Sequence, residues 1–321
     1  MEEYIKHLKE SKGYDDQMLS IIFNIIMAFN EVLGDENMPN VLQAINNVYI
    51  FLYDDISQAS TVLSHYFNNG KEYRVGSQAT GTGFTEDEYT LNENSELKQY
   101  LVIGLDKNNI NIQTLVHELC HAISSINGYF VKDNVLYTNS GFNAITYDFS
   151  SGMKGSIINN QGMIFNEVVT ENLAMQVMDA YDKTISHEAS AYNGYVSNFK
   201  NLFRNANLNK IIIESYINHD NNFVKVLDEI VDQQTYLSCV RSMYDVIDSN
   251  KFTIREYLDK LSNLTFSGFF NLYYTYINKM FGTLDGINKN DFKIIKQINQ
   301  EIIFAIGNEL KSKEFNENIT L

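Results

Sequence analysis

The sequence predicts an α+β fold that is mostly helical, and three observations predict it. Apolar residues recur densely at helical spacing over 15–33, a second helical run covers about 41–67, and the runs 112–126 and 163–181 are apolar on most sides. Between those runs the texture changes to Gly, Thr, Ser and Tyr, or to aromatic residues alternating with polar ones, which suits strands and turns. One short apolar run, Tyr100 to Leu105, reads as a buried strand leading into the second helix. The 321 residues are enough for a sizeable core in one large or two to three small domains. A content of 44 % hydrophobic residues with a single Pro is that of a folded globular chain.

Taken in order, residues 1–67 read as a helical N-terminal region. It holds a helix from Asp15 to Leu33 and a second helical run from about Val41 to Phe67. The strongest apolar stretch, Ile21 to Phe29, is about half the roughly 20 residues that a membrane-crossing helix needs, so a buried helix and no membrane span are expected. Residues 68–195 read as the core. They open with Gly- and Thr-rich strands and turns over 68–94, including Gly76, Gly81 and Gly83 but without the G-K-[ST] ending of a phosphate loop. The strand Tyr100 to Leu105 follows, ending in an Asp106-Lys107-Asn108-Asn109 turn that can cap the next helix. That helix, Ile112 to Ile126, is apolar on most sides and therefore central. A hairpin-like pattern fills Gly128 to Phe149, a Gly- and Asn-rich loop Ser150 to Gly162, and a second largely apolar helix Met163 to Tyr181. Residues 196–321 read as a helical C-terminal region with breaks at Gly268 and Gly282 to Gly286.

Charge and targeting narrow the partners. Asp and Glu outnumber Lys and Arg 40 to 24, and the formal charge of -16 repels a phosphate backbone, so nucleic acid is not expected as a partner. The start Met1-Glu2-Glu3-Tyr4 has no basic region followed by an apolar one, so a cytoplasmic protein is expected, with export by a route lacking a signal peptide left open. Two cysteines, Cys120 and Cys239, make no disulfide scaffold. Oligomeric state is not encoded in any feature of the chain.

The chemistry concentrates in His117-Glu118-Leu119-Cys120-His121, an H-E-x-x-H sequence inside the central helix. Residues four apart stand on one helix face, so both imidazoles can reach a single ion at the short distance zinc requires. Glu118 lies about 100° round the helix from His117, where it can touch a metal-bound water as a general base. Chance produces such a motif in a chain with six histidines on the order of once in a hundred sequences. The plain alternative is an ordinary helix with hydrogen-bonded side chains. Three ionisable groups among apolar neighbours would then cost several kcal/mol unless paired. Cys120 admits a thiolate-ligand reading, but a small buried packing side chain fits it better. A hydrolytic zinc site needs a third ligand on another element, and Asn166-Glu167-Val168-Val169-Thr170-Glu171 places two glutamates four apart on the downstream helix.

The two motifs together resemble the gluzincins, the thermolysin-like and lethal-factor-like zinc metallopeptidases, in which H-E-x-x-H precedes N-E-x-x-x-D/E. The segment Leu136 to Phe149 with Ser140-Gly141-Phe142, then Gly162 and the Asn166 motif, is also similar to uncharacterised Firmicute gluzincin-like proteins. The likeness covers about residues 100 to 180. It implies a zincin-like core over 68–195 with a small sheet beside an active-site helix. It also implies a Zn2+ ion held by His117, His121 and Glu167, Glu118 as catalytic base, and Glu171 accepting the N–H of a ligand imidazole. The substrate it implies is a peptide or protein, paired along the strand at Tyr100 to Leu105 as an edge strand. A zinc-binding but inactive relative, serving as a binding or regulatory protein, is the alternative. The 45 residues from 122 to 166 resemble the lethal-factor spacing, and Asn160 stands where that type has its oxyanion-stabilising Tyr. Tyr147, His187, Tyr192, Tyr195 and His219 remain candidates for that role.

Overall fold

A computed structural model describes residues 1–55, 83–91, 97–109, 111–126, 128–132, 135–148, 156–161, 163–187, 196, 203–204, 206–220 and 222–223. They form helices and two small sheets, an α+β arrangement.

Helix α1 (Glu2–Lys12) stops at Gly13, whose left-handed φ of 71° a side chain would resist, and whose N–H bonds the Lys9 carbonyl. Helix α2 (Asp16–Leu33) starts where Asp15 Oδ1 accepts the Met18 N–H at 2.8 Å. Leu19, Ile22, Ile25, Ile26, Phe29 and Leu33 bury its inner stripe, as the periodicity predicts. This helix has the length and apolar content of a membrane-crossing one. The buried stripe gives it the alternative character of a core helix.

Helix α3 (Met38–Asn47) confirms only the start of the second expected helical run. At Val48 the chain becomes strand β1 (Val48–Tyr53), and 56–67 lie outside the described residues. Val-Tyr-Ile-Phe-Leu-Tyr is β-branched and aromatic, and periodicity alone does not separate a short buried strand from a helix turn. Strand β2 (Gly83–Leu91) and strand β3 (Leu97–Asp106) complete a sheet of order β1-β3-β2. Strand β1 runs parallel to β3, from Val48 opposite Leu101 to Tyr53 opposite Asp106. Strand β2 runs antiparallel to it, from Gly83 opposite Leu105 to Leu91 opposite Leu97. The expected strand at Tyr100 to Leu105 is therefore present but central. Both its hydrogen-bonding edges are taken, so it is not the edge strand expected to pair with a peptide.

A 3-10 turn, Lys107–Asn109, follows, with Asp106 Oδ1 accepting the Asn108 N–H at 2.9 Å. Helix α4 (Ile112–Ser125) is capped by Asn111, whose Oδ1 accepts the Thr114 N–H at 2.6 Å, rather than by the Asp106–Asn109 turn. It packs on β2, α3, the later strand Val135–Ser140 and β3, and its Leu115, Val116, Leu119, Ala122 and Ile123 are buried.

Strands β4 (Tyr129–Lys132), β5 (Val135–Ser140), β6 (Asn143–Asp148) and β7 (Ser156–Gln161) form a second sheet in that order. Strands β4 and β5 make the expected antiparallel hairpin, with Phe130 stacked on Tyr137 at 4.6 Å between ring centres. Strand β7 falls inside the expected loop at 150–162. Its pairing partner is supplied by tertiary structure, which local propensity does not register. Helix α5 (Met163–Tyr181) then buries Val168, Val169, Leu173, Ala174 and Val177 on nearly all sides.

Backbone contacts divide the chain into two compact units, residues 1–141, 147–157 and 170–191, and residues 142–146, 158–169 and 192–321. The first unit holds α1 to α4 and the three-stranded sheet. In the second, helix α6 (Ala206–Asn218) brings Tyr216 to 6.1 Å from the Phe142 ring, and Phe223 lies 5.7 Å from it. There Asn166 Oδ1 accepts the Phe142 N–H at 2.9 Å. The expected breaks at Gly268 and Gly282 to Gly286 lie outside the described residues.

Candidate metal centre

The Asn111 cap fixes where α4 starts, and the apolar stripe that packs on the sheet fixes how it is rotated. Together they set His117 and His121 one above the other. His117 and Glu118 are each only 8 % exposed. His117 Nδ1 lies 2.6 Å from Glu171 Oε2 on α5, and Glu171 is fully buried. An ionised carboxylate only accepts, so beside it a neutral His117 imidazole carries its proton on Nδ1 and keeps Nε2 as a lone pair.

That lone pair faces the second histidine. His121 Nε2 lies 3.2 Å from His117 Nε2, with the rings inclined at 73°. Glu167 sits one turn before Glu171 on the same helix, and donor atoms of His117, His121 and Glu167 all lie within 4.8 Å of one another. Among the described residues this is the group of His, Cys, Asp or Glu side chains that can hold a metal ion. The separation of the two histidine nitrogens fits a small tetrahedral cation. Two nitrogens each about 2.0–2.1 Å from one zinc ion at the tetrahedral angle stand about 3.3–3.4 Å apart. Two imidazoles and one carboxylate are donors that suit zinc and other divalent transition ions alike.

Further contacts hold His121. Its carbonyl accepts from Ser124 Oγ at 3.0 Å and from Ser125 Oγ at 2.9 Å. Ser125 Oγ is also 2.7 Å from Ser140 Oγ at the end of β5, tying the hairpin to the ligand helix. Thr170 Oγ1 lies 3.5 Å from His121 Nδ1. Neither Ser125 nor Thr170 stands out in the sequence, because each acts through a partner distant along the chain.

The remaining candidates separate. Cys120 is fully buried, and burial first, then the negative charges of Glu171 and Glu118, push its thiol well above the ordinary range. It stands outside the donor group and packs the helix. Among the oxyanion candidates, Tyr147 is half-buried on β6. His187 Nδ1 is 3.1 Å from Asp179 Oδ1, and His219 follows α6 at a left-handed φ of 55°. Tyr192 and Tyr195 lie outside the described residues, and the backbone of Asn160 is in β7. A residue not singled out by sequence reasoning is Tyr53 at the end of β1. Burial chiefly, then the charges of Asp106 and Glu118, raise its phenol above the ordinary value, which puts it in the field of Glu118. No protein-family model, no curated protein and no solved structure matches this chain, so any function has to be argued from the centre itself.

Proposed function

We propose that the chain is a zinc-dependent metallopeptidase with a gluzincin-type centre, in which His117, His121 and Glu167 hold the ion and Glu118 is the general base. The observation that carries this reading is the donor trio within 4.8 Å, with one histidine already fixed in the ligand tautomer by Glu171. When bound, zinc supplies Lewis acidity that acidifies a water and polarises a carbonyl. Glu118, next to His117 and almost buried, takes the proton from the attacking water and returns it to the leaving amine. Glu171 stays on His117 Nδ1 throughout and keeps that ring from turning. With β3 central, an extended peptide would pair instead with β2, an edge strand among the described residues and one on which α4 packs.

One observation favours a second reading, a zinc-binding but inactive relative acting as a binding or regulatory protein. Asn160 occupies the position of the oxyanion Tyr in the lethal-factor type.

The first test is the metal content of protein purified without added zinc or a chelating tag, measured by plasma mass spectrometry. About one zinc per chain, lost in His121→Ala, is the expected result. No metal, and no binding when zinc is supplied, refutes both readings. Zinc without turnover of a peptide library selects the second.

A further inference from the structure

We infer that Thr170 is the positioning residue for His121, its hydroxyl oxygen accepting a hydrogen bond from the Nδ1–H of that imidazole so that the Nε2 lone pair faces His117 and Glu167. The inference rests on the reading of these residues as a metal centre and deepens it.

Thr170 is fully buried, and its Oγ1 is 3.5 Å from His121 Nδ1. The next residue, Glu171, meets the other histidine of the pair through the equivalent nitrogen at 2.6 Å. Consecutive helix residues point about 100° apart, so they can serve two rings that are themselves inclined at 73°. Threonine suits the position. Its branched Cβ restricts χ1, and a helical Thr hydroxyl can send its own proton to the carbonyl one turn back, which leaves a lone pair for an imidazole N–H.

The two holds differ in chemistry. A carboxylate only accepts and admits a single His117 tautomer, whereas a hydroxyl both donates and accepts. The long Thr170 contact is also the weaker of the two. Thr170 thus favours the His121 tautomer with its proton on Nδ1 without excluding the other, whereas an ionised Glu171 admits that tautomer alone for His117. The hydroxyls of Ser124 and Ser125 on the His121 carbonyl fix the backbone below the ring, so Thr170 has only the ring to orient.

The test measures zinc affinity of the full chain by competition with a chromophoric chelator for wild type, Thr170→Val and Thr170→Ser, alongside metal-free melting temperatures. Val keeps the branched shape and removes the hydroxyl, and Ser restores it. Thr170→Val should bind zinc about 10-fold or more weakly while melting within a few degrees of wild type, and Thr170→Ser should stay within about 3-fold of wild type. Equal affinity in Thr170→Val, or a Ser variant as weak as Val, overturns the inference. Imidazole 15N spectra of the zinc-loaded wild type give a second reading that needs no variant. They should show His121 protonated at Nδ1, and metal bound through Nδ1 would overturn it. Wild-type protein that binds no zinc refutes the metal centre and this inference together. Wild-type zinc binding with an indifferent Thr170→Val refutes this inference alone.

Discussion

Helices α4 and α5 are both packed on most of their sides, yet they carry their ionisable residues in different ways. On α4, His117 and Glu118 each keep a small exposed fraction. On α5, Glu171 keeps none, and Thr170 beside it is equally buried. A carboxylate sealed in the interior costs several kcal/mol unless it is paired, and its partner here is His117. The difference assigns tasks. Under the proposed function Glu171 and Thr170 on α5 orient the two imidazoles, whereas Glu118 on α4 retains the access that a proton carrier needs.

The sharpest way to break that comparison is Glu118→Gln. If α4 carries the chemistry, peptide hydrolysis should fall by about 10²–10⁴ while zinc content stays at the wild-type level. Full hydrolysis in this variant would sink the mechanism. Glu171→Ala tests the other helix. Zinc affinity should drop about 10–100-fold, and the metal-free protein should lose about 1–3 kcal/mol in urea unfolding because the His117 N–H is left without its acceptor. Unchanged affinity would make the buried carboxylate a packing feature only. The smallest expected effect is at the start of α4. Asn111→Ala removes the cap and should cost about 1 kcal/mol, read from the unfolding midpoint, with zinc stoichiometry unaltered.

What the sequence made legible follows rules that act locally. The four-residue spacing of His117 and His121 is a property of any helix, so the pair and its helix could be read together. Helix α2 is readable from its apolar periodicity, and helix α5 from the length of a run that is apolar on most sides. Glu167 and Glu171 needed the family resemblance, because an acidic chain offers many glutamates at that spacing and nothing local says which face a metal. The strands that differ from expectation all depend on pairing between distant segments. Strand β1 looks helical until β3 is placed beside it, and β7 looks like a loop until β6 is. The central position of β3 depends on both of its neighbours. Tyr53 and Thr170 belong to the same class, since each gains its interest only from a residue far along the chain.

Cys120, buried on α4 one residue before His121, equips the protein with an internal clock. A thiol with no exposed surface meets an alkylating reagent only while the packing around α4 opens. With Cys239 replaced, the slow labelling rate of the folded chain would count those openings. An ion that clips α4 to α5 should lengthen the interval between them.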